Sequence, residues 1–180
     1  MLRVAKTALG AIVLGSVLLS GASTLAAATP AGGTLKVFIT PSTSGKGGGT
    51  ALLTGAVGDY GKSNKANSAG KPDKNGKYNQ LVLKKGTILV DRRQLVAAQN
   101  SAQPTDFNSA TCSASLAVTA PVPIVSGTKA YAGITGSVTV TETVAFIGPL
   151  TKSGQCDTSA NANPVAEWGT VLGSGTVSFS

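Results

Sequence analysis

Ser137-Val138-Thr139-Val140-Thr141-Glu142-Thr143-Val144-Ala145-Phe146-Ile147 is the stretch that decides the fold of this 180-residue chain. Val138, Val140, Val144 and Phe146 fall on one face, and Thr139, Thr141, Thr143 and Ala145 fall on the other. That is the period-two alternation of a half-buried strand. Valine and threonine also favour the pleated backbone, because their branched side chains pack well across a sheet. One residue breaks the apolar face: Glu142.

The same grammar extends in both directions. Leu35, Val37 and Ile39 alternate with Lys36, Phe38 and Thr40 as a first strand, and Pro41 to Gly49 is a Gly/Ser loop. Thr50 to Tyr60 reads as a second strand, loosened by Gly55 and Gly58, and Ser63 to Gly76 as a polar loop ending in the turn pair Asn75-Gly76. Tyr78 to Asp91 is extended, with a bulge or bend at Gly86. Arg92 to Gln99 is the one place for a helical turn or two. Cys112 to Thr119 is a strand that Pro121 and Pro123 should stop. Thr151 to Pro164 is a loop, and Val165 to Phe179 closes the chain with Gly169, Gly173 and Gly175. Short alternating runs separated by turn residues, with no amphipathic helix of ordinary length, indicate an all-β protein. Glycines recurring within strands favour a single closed antiparallel barrel of about eight strands, where they relieve crowding at bends and closure removes exposed edges.

The first residues have a different character. Arg3 and Lys6 precede the uncharged run Ala8 to Leu19, and small residues lead to Ala26-Ala27-Ala28. This is the build of a secretory signal peptide over 1–28, cut after Ala28 to leave a domain of 29–180. An uncleaved anchor is the alternative, but the strongly apolar part is shorter than the ~20 residues a spanning helix needs. The expected product is secreted, with no stable membrane anchor. Removing Arg3 and Lys6 leaves thirteen basic against seven acidic residues, a net +6. Five of the eleven lysines that remain are scattered through the Gly/Asn/Ser-rich stretch Lys62 to Lys77 without interleaved aromatics, which reads as a solvated basic loop rather than a nucleic-acid surface. Cys112 and Cys156 form an even pair, and in an oxidising compartment one disulfide is favoured over two free thiols.

Gly127-Thr128-Lys129-Ala130-Tyr131-Ala132-Gly133-Ile134-Thr135-Gly136, followed by a Thr/Val strand, resembles the Gly-x-x-x-Tyr-x-Gly-Ile-x-Gly signature of the allene oxide cyclase and dirigent barrels. Gly55 to Gly61 is similar to that group's glycine-rich second strand, Lys84 to Asp91 to the strand after its first long loop, and Gly173 to Val177 to its last strand. The resemblance covers most of Leu35 to Ser180. It implies an eight-stranded barrel with an apolar interior, assembled as a homodimer or homotrimer. It further implies either cofactor-free cyclisation, steering of radical coupling, or, in small secreted bacterial members, no established activity. Ser126 before Gly127 and Lys129 in place of a glycine depart from the plant-type signature and place the chain nearer the secreted bacterial branch.

Composition removes whole reaction classes. With no histidine, neither a Ser-His-Asp nor a Cys-His arrangement can form. Imidazole-based zinc sites go with them, and two cysteines cannot make a four-thiolate site. Asp73-Lys74-Asn75-Gly76 has the look of a calcium loop, but no acid follows at the bidentate position, so it reads as a turn. No cofactor or metal is expected. Glu142 has three readings: inward in an apolar cavity with a raised pKa and an acid/base or ligand-orienting role, outward at a subunit interface, or solvated at a strand end. Asp59 and Tyr60 at a strand end, and Tyr131 in the signature turn, are candidate ligand contacts, set against a turn-capping carboxylate and packed rim tyrosines. Trp168 and Phe179 read as core aromatics, and Arg92 and Arg93 as a solvated pair or an anion contact.

The leading expectation is a non-catalytic secreted barrel that binds a small apolar or aromatic ligand or serves as an extracellular interaction module. A cofactor-free cyclase or radical-coupling guide using Glu142 is the alternative. A surface structural protein that assembles through an apolar outer face is a third.

Overall fold

The alternating runs close on themselves. A computed structural model describes residues 31–42, 48–159 and 162–180. Its strands are β1 (Gly33–Pro41), β2 (Gly49–Gly55), β3 (Asp59–Ala66), β4 (Tyr78–Leu83), β5 (Thr87–Asp91), β6 (Ser113–Gly127), β7 (Ile134–Ile147) and β8 (Ala166–Phe179), with one helix, α1 (Arg93–Ser101). The eight strands form a closed antiparallel barrel in chain order, β8 returning to pair with β1. The proposed signal peptide and its cut lie outside the described residues. Among those described, no helix is long and apolar enough to cross a membrane.

Inward positions supply the core. Leu35 and Val37 of β1, Ala51 and Leu53 of β2, Leu81 and Leu83 of β4, Ile88 and Val90 of β5, and Val138 and Val140 of β7 are all buried. Apolar burial is the main favourable term here, at roughly 25 cal/mol per Å². Gly173 shows why glycine recurs in the closing strand. It pairs with Val140, and a Cβ placed on it would lie 2.8 Å from Val138 Cγ1 and 3.0 Å from Val140 Cγ2. A side chain there would displace two valines that line the bore.

Four local expectations change. The segment expected as one strand over 50–60 is nearly all of β2, a turn, and the start of β3, and β3 continues through residues expected in a polar loop. Its inward positions are Asp59, Gly61 and Ser63, so the strand lacks the apolar alternation that would reveal it. The extended run 78–91 is a hairpin, β4 and β5 pairing antiparallel around a turn at Gly86. β6 runs through Pro121 and Pro123 instead of stopping. Its pairing with β5 begins only at Ile124, so along most of β6 no strand lies on the side away from β7 to need a proline N–H. Trp168 is not a core aromatic; it stands 58% exposed on the outer face of β8, whereas Phe179 packs against the core.

β6, β7 and β8 outrun the barrel. β1 pairs with β8 only as far as Ile39↔Val171, while β7 and β8 pair on to Ile147↔Ala166. The outer edge of this three-stranded extension on the β6 side is covered by the segment after α1, where Asn108 N–H donates to Ser113 O at 2.8 Å. Its tip is fastened by a disulfide between Cys112 and Cys156, with Cα atoms 5.4 Å apart. On the outside of the barrel one row crosses four strands in register, Tyr60, Leu52, Phe38 and Leu172, all at least 40% exposed.

Candidate functional site

The two ends of the barrel are built differently. At one end a short 3₁₀ turn, Lys129–Tyr131, swings Tyr131 into the bore, where it is 1% exposed. Its hydroxyl donates to Asp59 Oδ2 at 2.6 Å. Asp59 also accepts the Lys85 N–H at Oδ2 and the Tyr60 N–H at Oδ1, both at 2.8 Å. Gly86 makes room for this plug, since a Cβ there would sit 2.2 Å from Thr128 O and 3.1 Å from the Tyr131 ring. Burial pulls the Asp59 carboxyl upward, but the hydroxyl and amide donors outweigh it and hold the pKa below the ordinary carboxylate value. Burial, and then the bond to Asp59 and its charge, raise the Tyr131 phenol well above its usual range. This end is shut.

The other end is open. A cavity of about 600 Å³ occupies the bore beneath the ends of β1, β3, β5 and β7 and the face of α1. That is the size of an ordinary small-molecule site. Its wall is apolar, with Val37, Ile39, Leu81, Val90, Val138 and Val140 facing inward, and Leu95 brings α1 onto it. Above these runs a connected polar chain. Asn79 Nδ2 donates to Ser63 Oγ at 2.9 Å, Arg92 Nη1 donates to Asn79 Oδ1 at 3.4 Å, and Arg92 Nη2 donates to Glu142 Oε2 at 3.1 Å. The Arg92 and Glu142 side chains are 13% and 12% exposed. The chain therefore spans the mouth from β3 to β7 while reaching solvent only at its upper side. Lys65, Lys74, Lys77 and Glu167 complete the rim.

Glu142 takes the inward position it shares with Val138 and Val140, and its carboxylate meets the Arg92 guanidinium rather than standing alone among valines. Asp59 and Tyr131 lie at the shut end, bonded to one another, and do not line the cavity. Tyr60 points outward, 57% exposed, with Lys84 Nζ 5.4 Å from its ring centroid. Arg93 makes a surface ion pair with Asp91 at 2.6 Å. Cys112 and Cys156 are joined at the far tip.

Sequence reasoning passed over Asn79 and Ser63, and it read Arg92 as solvated or an anion contact without identifying Glu142 as the carboxylate it meets. A signal for them exists in strand parity. Arg92 continues the inward series Ile88, Val90 one step past β5, and Ser63 and Lys65 continue the inward series Asp59, Gly61 along β3. Among the described residues no group of three or more His, Cys, Asp or Glu side chains is placed to hold a metal ion. No family model, curated protein or solved structure matches the chain.

Proposed function

We propose that this protein is a non-catalytic, secreted barrel that binds a small apolar or aromatic ligand in the cavity at its open end. The observation that carries the reading is the cavity itself: about 600 Å³ of bore walled in its depth by valine, leucine and isoleucine, with polar and charged side chains in similar number toward its mouth. A concave apolar space with convergent polar groups is what small-molecule sites share, the apolar wall supplying affinity and the polar groups orientation. Export is supported by the N-terminal sequence and agrees with a disulfide that an oxidising compartment would maintain. The order of the glycine motifs and the barrel class both support kinship with the allene oxide cyclase and dirigent group.

Filling the bore tests this. Val140→Phe places a ring where the cavity wall now ends, and the affinity of N-phenyl-1-naphthylamine, a neutral fluorescent apolar probe, is expected to fall about tenfold or more, the equivalent of 1.4 kcal/mol. Thermal unfolding of the same variant checks that the barrel stays intact. Undiminished probe binding in a folded Val140→Phe protein would remove the cavity as the site.

One observation favours a second reading, that of a cofactor-free cyclase: Glu142 stands on the cavity wall with a hydrogen-bonded guanidinium beside it. A positioned carboxylate acting in proton transfer contributes about 10²- to 10⁴-fold to a rate. Glu142→Gln is then expected to lower turnover of any substrate the wild type converts by roughly 10²-fold or more, with probe affinity unchanged. Turnover that survives the substitution dismisses the reading.

A further inference from the structure

We propose that the ligand of this cavity is an organic anion, with a compact apolar body seated among the valines and one acidic group held at the rim by Lys65, Lys74 and Lys77. The inference rests on the reading of the cavity as a ligand site and adds the charge and orientation of what it holds.

The first argument is the charge left over at the mouth. Four basic side chains line the cavity, Lys65, Lys74, Lys77 and Arg92, against two acidic ones, Glu142 and Glu167. Arg92 is committed to Glu142 at 3.1 Å. The ion pairs among the described residues are Arg92–Glu142 and Arg93–Asp91, so none of the three lysines is neutralised by a carboxylate there. Like charges at a mouth repel one another and are kept together at a cost unless something of opposite sign sits among them.

The second argument is that the lysines are placed by built structure. Lys65 is the last inward position of β3 before the strand emerges at the mouth. Lys74 and Lys77 follow in the β3–β4 turn, which is fastened by Asp73 N–H to Lys65 O at 3.1 Å, Gly76 N–H to Asp73 O at 3.0 Å and an isolated bridge between Ala66 and Pro72. The acid of this turn is spent internally, since Asp73 Oδ1 accepts the Asn75 N–H at 2.9 Å. The turn therefore places its lysines on the lining of the cavity mouth and keeps its own carboxylate for its backbone.

Orientation follows from solvation. A carboxylate or sulfonate pushed down among the valines would lose its water without finding a free cation, because Arg92 is already paired, and such burial is costly. At the rim the same group keeps water on one side and meets ammonium groups on the other. The apolar body then replaces water against the valine wall, and a cluster of positive charge above a low-dielectric bore draws anions toward the mouth. A cationic ligand is opposed by the same field, and a neutral one gains nothing from it.

The test compares two probes with one body. 8-Anilinonaphthalene-1-sulfonate carries a sulfonate; N-phenyl-1-naphthylamine lacks it. At low ionic strength the sulfonate is expected to bind about tenfold more tightly, as one ion contact at a partly screened mouth supplies. The gap should close near 1 M salt, where the screening length falls to about 3 Å. In K65Q/K74Q/K77Q, whose three positions are exposed, the sulfonate should weaken to the level of the neutral probe. The neutral probe should stay within about twofold of wild type and so report an intact cavity. If neither probe binds wild type, the reading of the cavity as a ligand site fails. If the neutral probe binds as well as the sulfonate, the anion proposal fails and the cavity reading stands. A tenfold preference that persists in the triple variant would take the lysines out of the site and overturn the proposal. Pelleting with phosphatidylglycerol vesicles that the sulfonate does not displace would also overturn it, by assigning the lysines to a membrane surface.

Discussion

Asp59→Ala is expected to cost about 3 kcal/mol of folding stability, read as a lowered denaturation midpoint, although Asp59 touches no part of the cavity. The carboxylate is 6% exposed and collects three donors, the Tyr131 hydroxyl and the Lys85 and Tyr60 amides. Removing it leaves a buried phenol hydroxyl with no partner, and an unsatisfied buried donor costs more than the bond itself contributed. Tyr131→Phe keeps the ring in the bore and removes only the hydroxyl, so its cost should be smaller, about 2 kcal/mol. The two losses should not add. In the double variant Asp59→Ala/Tyr131→Phe a coupling of about 1 kcal/mol or more is expected, because the partners share one hydrogen bond. Additive losses would show that the plug is held by packing alone.

The same pair sets how stability answers to pH. The folded pKa of Asp59 lies below its reference value of 3.8, so its contribution is present above that value and is lost as the pH falls through the folded pKa. Tyr131 has the opposite sign. Its folded pKa lies above the reference value of 10.0, so its contribution is complete below pH 10 and is lost as the pH rises beyond it. Asp59→Asn should flatten the acid limb of the stability curve and Tyr131→Phe the alkaline limb.

How far a sequence of this kind can be read depends on which contacts are local. β7 is legible because its alternation is complete within eleven residues and its apolar face is a real inner face. The closed barrel follows from adding similar runs, and the disulfide from an even pair of cysteines in a chain whose first residues read as an export signal. β3 is illegible by the same rule, since its inward residues include Asp59, Gly61 and Ser63 and no hydrophobic period marks it. The position of the site fails for a deeper reason. Which end of the barrel is open depends on Tyr131 reaching Asp59 across 72 residues, and on α1 laying Leu95 and Arg92 over the other end. Neither is visible as a pattern in any short window. Asp59 and Tyr131 thus present themselves in the sequence as strand-end polar groups suited to a ligand, while the fold spends both on closure. Glu142 was recognisable as an anomaly on an apolar face, but its partner was not, because Arg92 lies 50 residues away and next to an arginine that does face water.

Removing the disulfide should produce a loss of comparable size with a different signature. Cys112 and Cys156 close a loop with a sequence separation of 44. In the chain-entropy account, cross-linking a loop of that length takes about 4 kcal/mol of freedom out of the unfolded chain, within the 2–5 kcal/mol usual for native disulfides in small secreted domains. For a domain of this size that corresponds to a fall in Tm of roughly 10 °C. The paired variant Cys112→Ser/Cys156→Ser avoids leaving a lone thiol and is the one to measure. Its native state should change little around the cavity. The disulfide fastens the start of β6 to the β7–β8 connection at the tip of the extension, whereas the cavity lies in the bore, walled by Val37, Leu81, Val90 and Val140. Affinity for N-phenyl-1-naphthylamine should therefore stay within about twofold of wild type at temperatures where the variant remains folded, the cross-link acting on the unfolded chain more than on the site. Equal losses of stability and of probe affinity would instead mean that the extension and the bore form one cooperative unit, with the shape of the mouth held from its far tip.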